Sequence, residues 1–83
     1  MTNAGYSIVR TIRTTPEDDH DMGFCLGFNM DSPMKWVTWR YRKFSDGIDF
    51  CGGNYFAEGY KAVADLNERA EREMGVRCIS VYT

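Results

Sequence analysis

Histidine is nearly absent from this chain, with His20 alone among 83 residues. Catalysis built on imidazole therefore has one candidate. It stands in Thr14-Thr15-Pro16-Glu17-Asp18-Asp19-His20-Asp21, where a proline and a block of acids read as a solvated loop, the most mobile stretch of the chain. Cysteine is sparse too. Cys25, Cys51 and Cys78 are too few and too scattered for a disulfide framework, and no two stand at metal-ligand spacing, so they read as reduced, small core residues. No apolar run approaches the roughly 20 residues that span a bilayer. The opening Met1-Thr2-Asn3-Ala4-Gly5 lacks the charged and then apolar order of a secretory leader. The expectation is a soluble, cytoplasmic protein with no membrane partner. An excess of basic residues is also missing: 10 Lys+Arg against 12 Asp+Glu give a net charge of −2, which argues against general binding of phosphate backbones.

Other absences concern chemistry. Gly52-Gly53-Asn54 lacks the spacing of a phosphate-cradling loop and reads as a bulge. The acids around His20 do not match an EF-hand loop, which needs Gly at its sixth position and Glu at its twelfth. No catalytic, cofactor-binding or metal-ligating residue is assigned, and the chain reads as non-enzymatic. There is no internal repeat and no low-complexity tract.

What is present suits one packed domain over residues 1–83. The hydrophobic fraction is 43% and the aromatic fraction 14%, enough for a core, although a domain of this size has a thin one. Residues 6–13 alternate as a half-buried strand. Residues 22–28 alternate again, with Met22, Phe24, Leu26 and Phe28 on one face and Gly23, Cys25 and Gly27 on the other. A face of small residues implies the close approach of a helix or another backbone. Asp46-Gly47 is a hairpin signal between a strand at 35–43 and one beginning at Ile48. Over residues 57–74 the period changes. Tyr60, Val63, Leu66, Ala70 and Met74 form an apolar stripe, with Asp65, Glu68, Arg69 and Arg72 on the opposite side and Gly75 as the C-terminal cap. Residues 76–82 read as a last strand. The order β-β-β-β-α-β defines an α+β domain, with a mainly antiparallel sheet of four to five strands and one amphipathic helix on one face.

Residues 35–43, Lys-Trp-Val-Thr-Trp-Arg-Tyr-Arg-Lys, hold both tryptophans and four of the ten cations. Trp36, Thr38, Arg40 and Arg42 share one face, and Lys35, Val37, Trp39, Tyr41 and Lys43 the other. One tryptophan is expected to anchor the core under the helix, leaving the other outward on a sheet face that must meet water or a partner. Trp, Tyr and Arg are also the residues most enriched in binding hot spots. The candidate partner-binding residues are therefore Trp36, Trp39, Arg40, Tyr41, Arg42 and Tyr55, joined by the acids Glu17, Asp18, Asp19 and Asp21. With an acidic total charge, a protein partner is favoured. The alternatives are a nucleic-acid module using Arg40, Arg42 and Lys43 with stacked aromatics, and a homodimer that covers the open sheet face.

The run Val37-Thr38-Trp39, with Tyr41, Asp46-Gly47, Gly53-Asn54-Tyr55-Phe56 and Ala64-Asp65-Leu66-Asn67-Glu68-Arg69, resembles small accessory proteins carried by phages and conjugative elements of gut Firmicutes, across residues 22–72. The resemblance implies a small, acidic, non-enzymatic α+β domain that binds a host effector or nuclease complex, as anti-CRISPR-like inhibitors do. It assigns no functional residues.

Overall fold

The computed structural model describes residues 1–75. The strand expected at 76–82, with Cys78, lies outside the described residues. Period-two alternation places four strands where the sequence expects them. A two-residue β1 (Thr2–Asn3) precedes them, then β2 (Tyr6–Arg13), β3 (Asp21–Phe28), β4 (Trp36–Phe44) and β5 (Gly47–Phe56), followed by α1 (Gly59–Met74). Each strand pairs antiparallel with the next in the order β1-β2-β3-β4-β5, and the five form a curled half-barrel with the helix packed against it, an α+β architecture. The short β1 has no counterpart in the sequence reading. It forms because Ala4 and Gly5 both take positive φ, 52° and 86°, the backbone that a two-residue hairpin turn demands.

The β4–β5 hairpin is present, but its register differs by one residue from an Asp-Gly centre. Phe44 pairs with Gly47, so Ser45 and Asp46 make the turn and Gly47 opens β5. The bulge read from Gly52-Gly53 is also present. The β4–β5 register shifts between Thr38 and Arg40, which face Asn54 and Cys51, and Gly52 supplies the positive φ of 62° that the extra residue requires.

The helix ends as the sequence reading has it, with Gly75 left-handed and its N–H donating to the carbonyls of Arg72 and Glu71. Its buried stripe, however, is Ala62, Leu66 and Ala70, with Val63 partly buried beside them. Tyr60 is 68% exposed and Met74 44% exposed. The close approach of helix and sheet explains the displacement. At the first turn a Cβ on Gly59 would stand 3.0 Å from the Trp36 ring, so the indole occupies the space that a larger inward residue would need. Small residues then keep the axis near the sheet, where Phe24, Leu26, Ile12 and Phe56 meet them.

The other sheet face is not bare. Tyr6, Cys25, Val37, Trp39 and Tyr41 form a second buried cluster there, with Ile8, Ile48 and Phe50 packed against it. This corrects the expectation that only the helix-covered face is filled. The sheet curls around its own aromatic side chains, and the small residues of β3 make room for them.

At Gly23 the neighbour is backbone: a Cβ would lie 2.0 Å from the Ile12 carbonyl oxygen, whereas one on Gly47 meets nothing within 4 Å. Gly23→Ala is expected to lower stability by about 1–3 kcal/mol through overpacking against main chain that cannot swing away. Gly47→Ala should change it by less than about 1 kcal/mol, both read as urea midpoints at constant slope. Leu66→Ala, at a fully buried position, should cost about 2–5 kcal/mol.

Candidate functional site

The two tryptophans are three residues apart on β4, an odd spacing that sends them to opposite faces. Trp36 lies on the helix side, half-buried, with its ring centroid 4.5 Å from that of Phe28. Trp39 faces away from the helix, yet it is only 5% exposed. Tyr6 meets it edge-on at 5.7 Å, and Phe50 lies at 5.6 Å. A Cβ on Gly53 would come within 2.8 Å of its Nε1, so the bulge in β5 makes room for the indole. Tyr41 is 4% exposed in the same cluster. Neither Trp39 nor Tyr41 is therefore the outward anchor the sequence reading sought, because sheet curvature folds both inward. Of the expected aromatic contacts, Tyr55 remains well exposed at 46%.

The cations of β4 are also engaged. Arg40 donates through both terminal nitrogens to Glu73, at 3.2 and 3.0 Å, a two-pronged pair of well-matched geometry. Its guanidinium also lies 5.6 Å from the Phe24 centroid. Arg42 stands 5.2 Å over the Phe44 ring and is exposed. Between sheet and helix lies a polar bridge absent from the sequence reading. Fully buried Thr38 donates to Asp65 Oδ2 at 2.6 Å, and Asn54 donates to the same oxygen at 3.1 Å. Arg69 donates to the Thr38 hydroxyl and carbonyl at 3.1 and 3.2 Å while lying 4.9 Å over Phe24. Asp65 and Arg69 thus face the sheet together, whereas helical periodicity alone puts them on the solvent side. The one available signal is their i, i+4 spacing opposite a lone threonine in a buried strand. Glu68 and Arg72 do form the expected surface pair, at 2.7 Å.

The acidic loop closes on Arg13. Its Nε donates to the Thr15 carbonyl at 3.1 Å, and Nη2 donates to the carbonyls of Pro16 and Asp19 at 2.7 and 2.9 Å. Thr15 Oγ1 donates to the His20 carbonyl and accepts from the Met22 N–H. These bonds use the interior of the loop, and Glu17, Asp18, Asp19 and His20 stand exposed around it. Asp21 differs: half-buried, it accepts a 2.7 Å hydrogen bond from the Tyr41 hydroxyl and lies 3.8 Å from Arg13 Nε. Burial and this carboxylate together push the Tyr41 phenol well above its ordinary range. Burial raises the Cys25 thiol to about 11, so at neutral pH it is a protonated, inert core group.

The candidate residues therefore fall into separate places. Glu17, Asp18, Asp19 and Asp21 gather at one end of the sheet, where Asp21 pairs with Lys43 and Met22 with Arg42 across β3 and β4. Trp36 and Tyr55 lie toward the opposite end, where they pair with Phe56 and Val37. At the acidic end, Met1, Ile8, Cys25, Tyr41, Ile48 and Phe50 line a groove of about 150 Å³, with Thr11, Asp21 and Lys43 also bordering it. Apart from Met1, its lining residues are dispersed over four strands, and only the curl of the sheet converges them. No family model, curated protein or solved structure matches the chain. No helix among the described residues is long and apolar enough to cross a membrane.

The thiols offer a direct check on this arrangement. At pH 8, iodoacetamide should modify exposed Cys51 while Cys25, 1% exposed, reacts only after unfolding, as peptide mass spectrometry reads out. Both Cys25 and Tyr41 have folded-state values above their ordinary 9.0 and 10.0. Their contribution is whole below about pH 9 and is lost as pH rises toward 11 and beyond, because the unfolded chain releases those protons first. Urea midpoints should accordingly fall on the alkaline side of pH 9, and more shallowly in Cys25→Ala.

Proposed function

We propose that this chain is a non-enzymatic binding protein that occupies a basic surface of a protein partner through the sheet end bearing Glu17, Asp18 and Asp19. The observation that supports this most is the Arg13-centred loop. Three main-chain carbonyls are tied to one guanidinium, so the exposed carboxylates stand on a backbone already in position, which reduces the ordering cost of association. Concentrated charge of one sign also steers a basic partner toward the surface and raises its on-rate.

The resemblance to accessory proteins of phages and mobile elements suggests the kind of partner: a host effector or nuclease, whose nucleic-acid channel is basic and would accept an acidic plug. Binding of nucleic acid by this chain itself is disfavoured by the same arrangement. Arg40 is already paired with Glu73, and the acids beside Arg42 and Lys43 repel phosphates.

The test is affinity capture with the tagged protein and with a Glu17→Lys/Asp18→Lys variant, whose circular dichroism should match wild type because both positions are exposed. The expected outcome is a basic protein retained by wild type and lost by the variant, with binding that weakens as salt rises. Equal retention of the same partner by both proteins would sink the proposal.

A further inference from the structure

The groove beside the acidic loop has the dimensions and lining of a socket for one ring. Its volume is about 150 Å³, the size of an engineered apolar cavity that accepts benzene. Ile8, Ile48 and Phe50 supply aliphatic and aromatic walls, and Cys25 contributes a thiol. Of the two hydroxyls that line it, that of Tyr41 is already committed to Asp21 and that of Thr11 sits on an exposed residue open to water, so a ring entering the groove strands no buried polar group. The rim changes character. Asp21 and Lys43 both stand at the edge of the groove, and three exposed acids, Glu17, Asp18 and Asp19, continue from Asp21 along the chain, so carboxylates outnumber the one lysine.

We propose that this groove receives a single aromatic side chain from a partner protein segment in which Lys or Arg flanks that residue, the ring entering the groove and the cations meeting Asp21, Glu17 and Asp18. The inference rests on the proposed acidic-loop function and adds the chemistry of the partner. Charge complementarity selects this occupant. A purely apolar segment would give Glu17 and Asp18 nothing to pair with, and an acidic one would be repelled. A hydrophobic anchor in a small pocket, surrounded by polar contacts at its rim, is also the usual division of labour in a binding hot spot.

The experiment is a chemical-shift titration of the full chain with three synthetic peptides: Gly-Lys-Arg-Phe-Arg-Lys-Gly, the same peptide with Ala for Phe, and the same peptide with Glu for each cation. The expected result is movement of the Ile8, Thr11, Cys25 and Phe50 amides with the first peptide and binding at least tenfold weaker with the other two. Thr11→Trp, which fills the rim from an exposed position, should weaken the first peptide at least tenfold without changing the fold. Equal affinity for the Phe and Ala peptides would overturn the socket while leaving the acidic loop as a basic-surface reader. Equal affinity of wild type and Glu17→Lys/Asp18→Lys for the Phe peptide would instead overturn the loop reading and the cation half of the proposal. Absence of any shift at millimolar Phe peptide would overturn the proposal. Groove amides that move on dilution without peptide would also overturn it, because the occupant would then be a second copy of the chain.

Discussion

Strand β4 has to be buried on both faces at once, and the rest of the molecule follows from how that is achieved. Trp36 and Trp39 project in opposite directions, and so do Thr38 and Val37, both fully buried. One helix covers one side of a sheet. The opposite side is closed by curvature, which brings Tyr6, Trp39 and Tyr41 over the small residues of β3. In a chain of 83 residues this division yields two thin cores back to back instead of one deep one. From Trp36 to Tyr41 each side chain of β4 then has a neighbour on its own face, and the exposed positions of the strand are confined to its last three residues.

The helix docks through contacts of two kinds. Leu66, Ala62 and Ala70 bury apolar surface against Phe24 and Leu26, which provides most of the attraction and little directionality. Thr38, Asp65, Asn54 and Arg69 add direction, since a buried hydroxyl with two partners fixes where along β4 the helix can sit. Removing Asp65 would leave the buried Thr38 hydroxyl without its acceptor, a larger penalty than the bond itself is worth. The bridge therefore fixes register at least as much as it adds stability, and the Arg40–Glu73 pair near the last turn aligns the helix from its other end.

Much of this was legible from residue order. Alternation located four strands, the change of period located the helix, and Gly52-Gly53 marked the bulge, because each is set by local backbone geometry. The losses share one cause. Residue order left open which of Trp36 and Trp39 faces outward and counted Tyr41 among the partner contacts, because alternation says which face a side chain is on, while whether that face is covered depends on sheet curvature, a property of five strands together. Asp65 and Arg69 read as solvent-facing because charge is a good guide to exposure only when no complementary buried group waits across the interface, and Thr38 is such a group. The acidic loop was legible as a charge run, but its anchoring by Arg13 was not. That anchoring depends on the main-chain path of residues 14–20 and not on side-chain pattern.

A sheet filled on both faces confines recognition to places where packing stops. Along β4, packing stops at the end where the strand leaves the helix: Arg42, Lys43 and Phe44 are all exposed, and the 14–20 loop and the 45–46 turn lie beside them. The second core is also incomplete there. Ile48 and Phe50 are only partly buried, and the groove opens between them and Ile8. The opposite end differs, because Trp36, Gly59 and Phe56 close the helix onto the sheet, and the Tyr6 hydroxyl donates to the Met34 carbonyl at 2.6 Å to fasten the β3–β4 connection. One end of the half-barrel is thus tied shut by the start of the helix. The other combines partial apolar packing with the exposed carboxylates of Glu17, Asp18 and Asp19, and a basic segment with one ring could meet both.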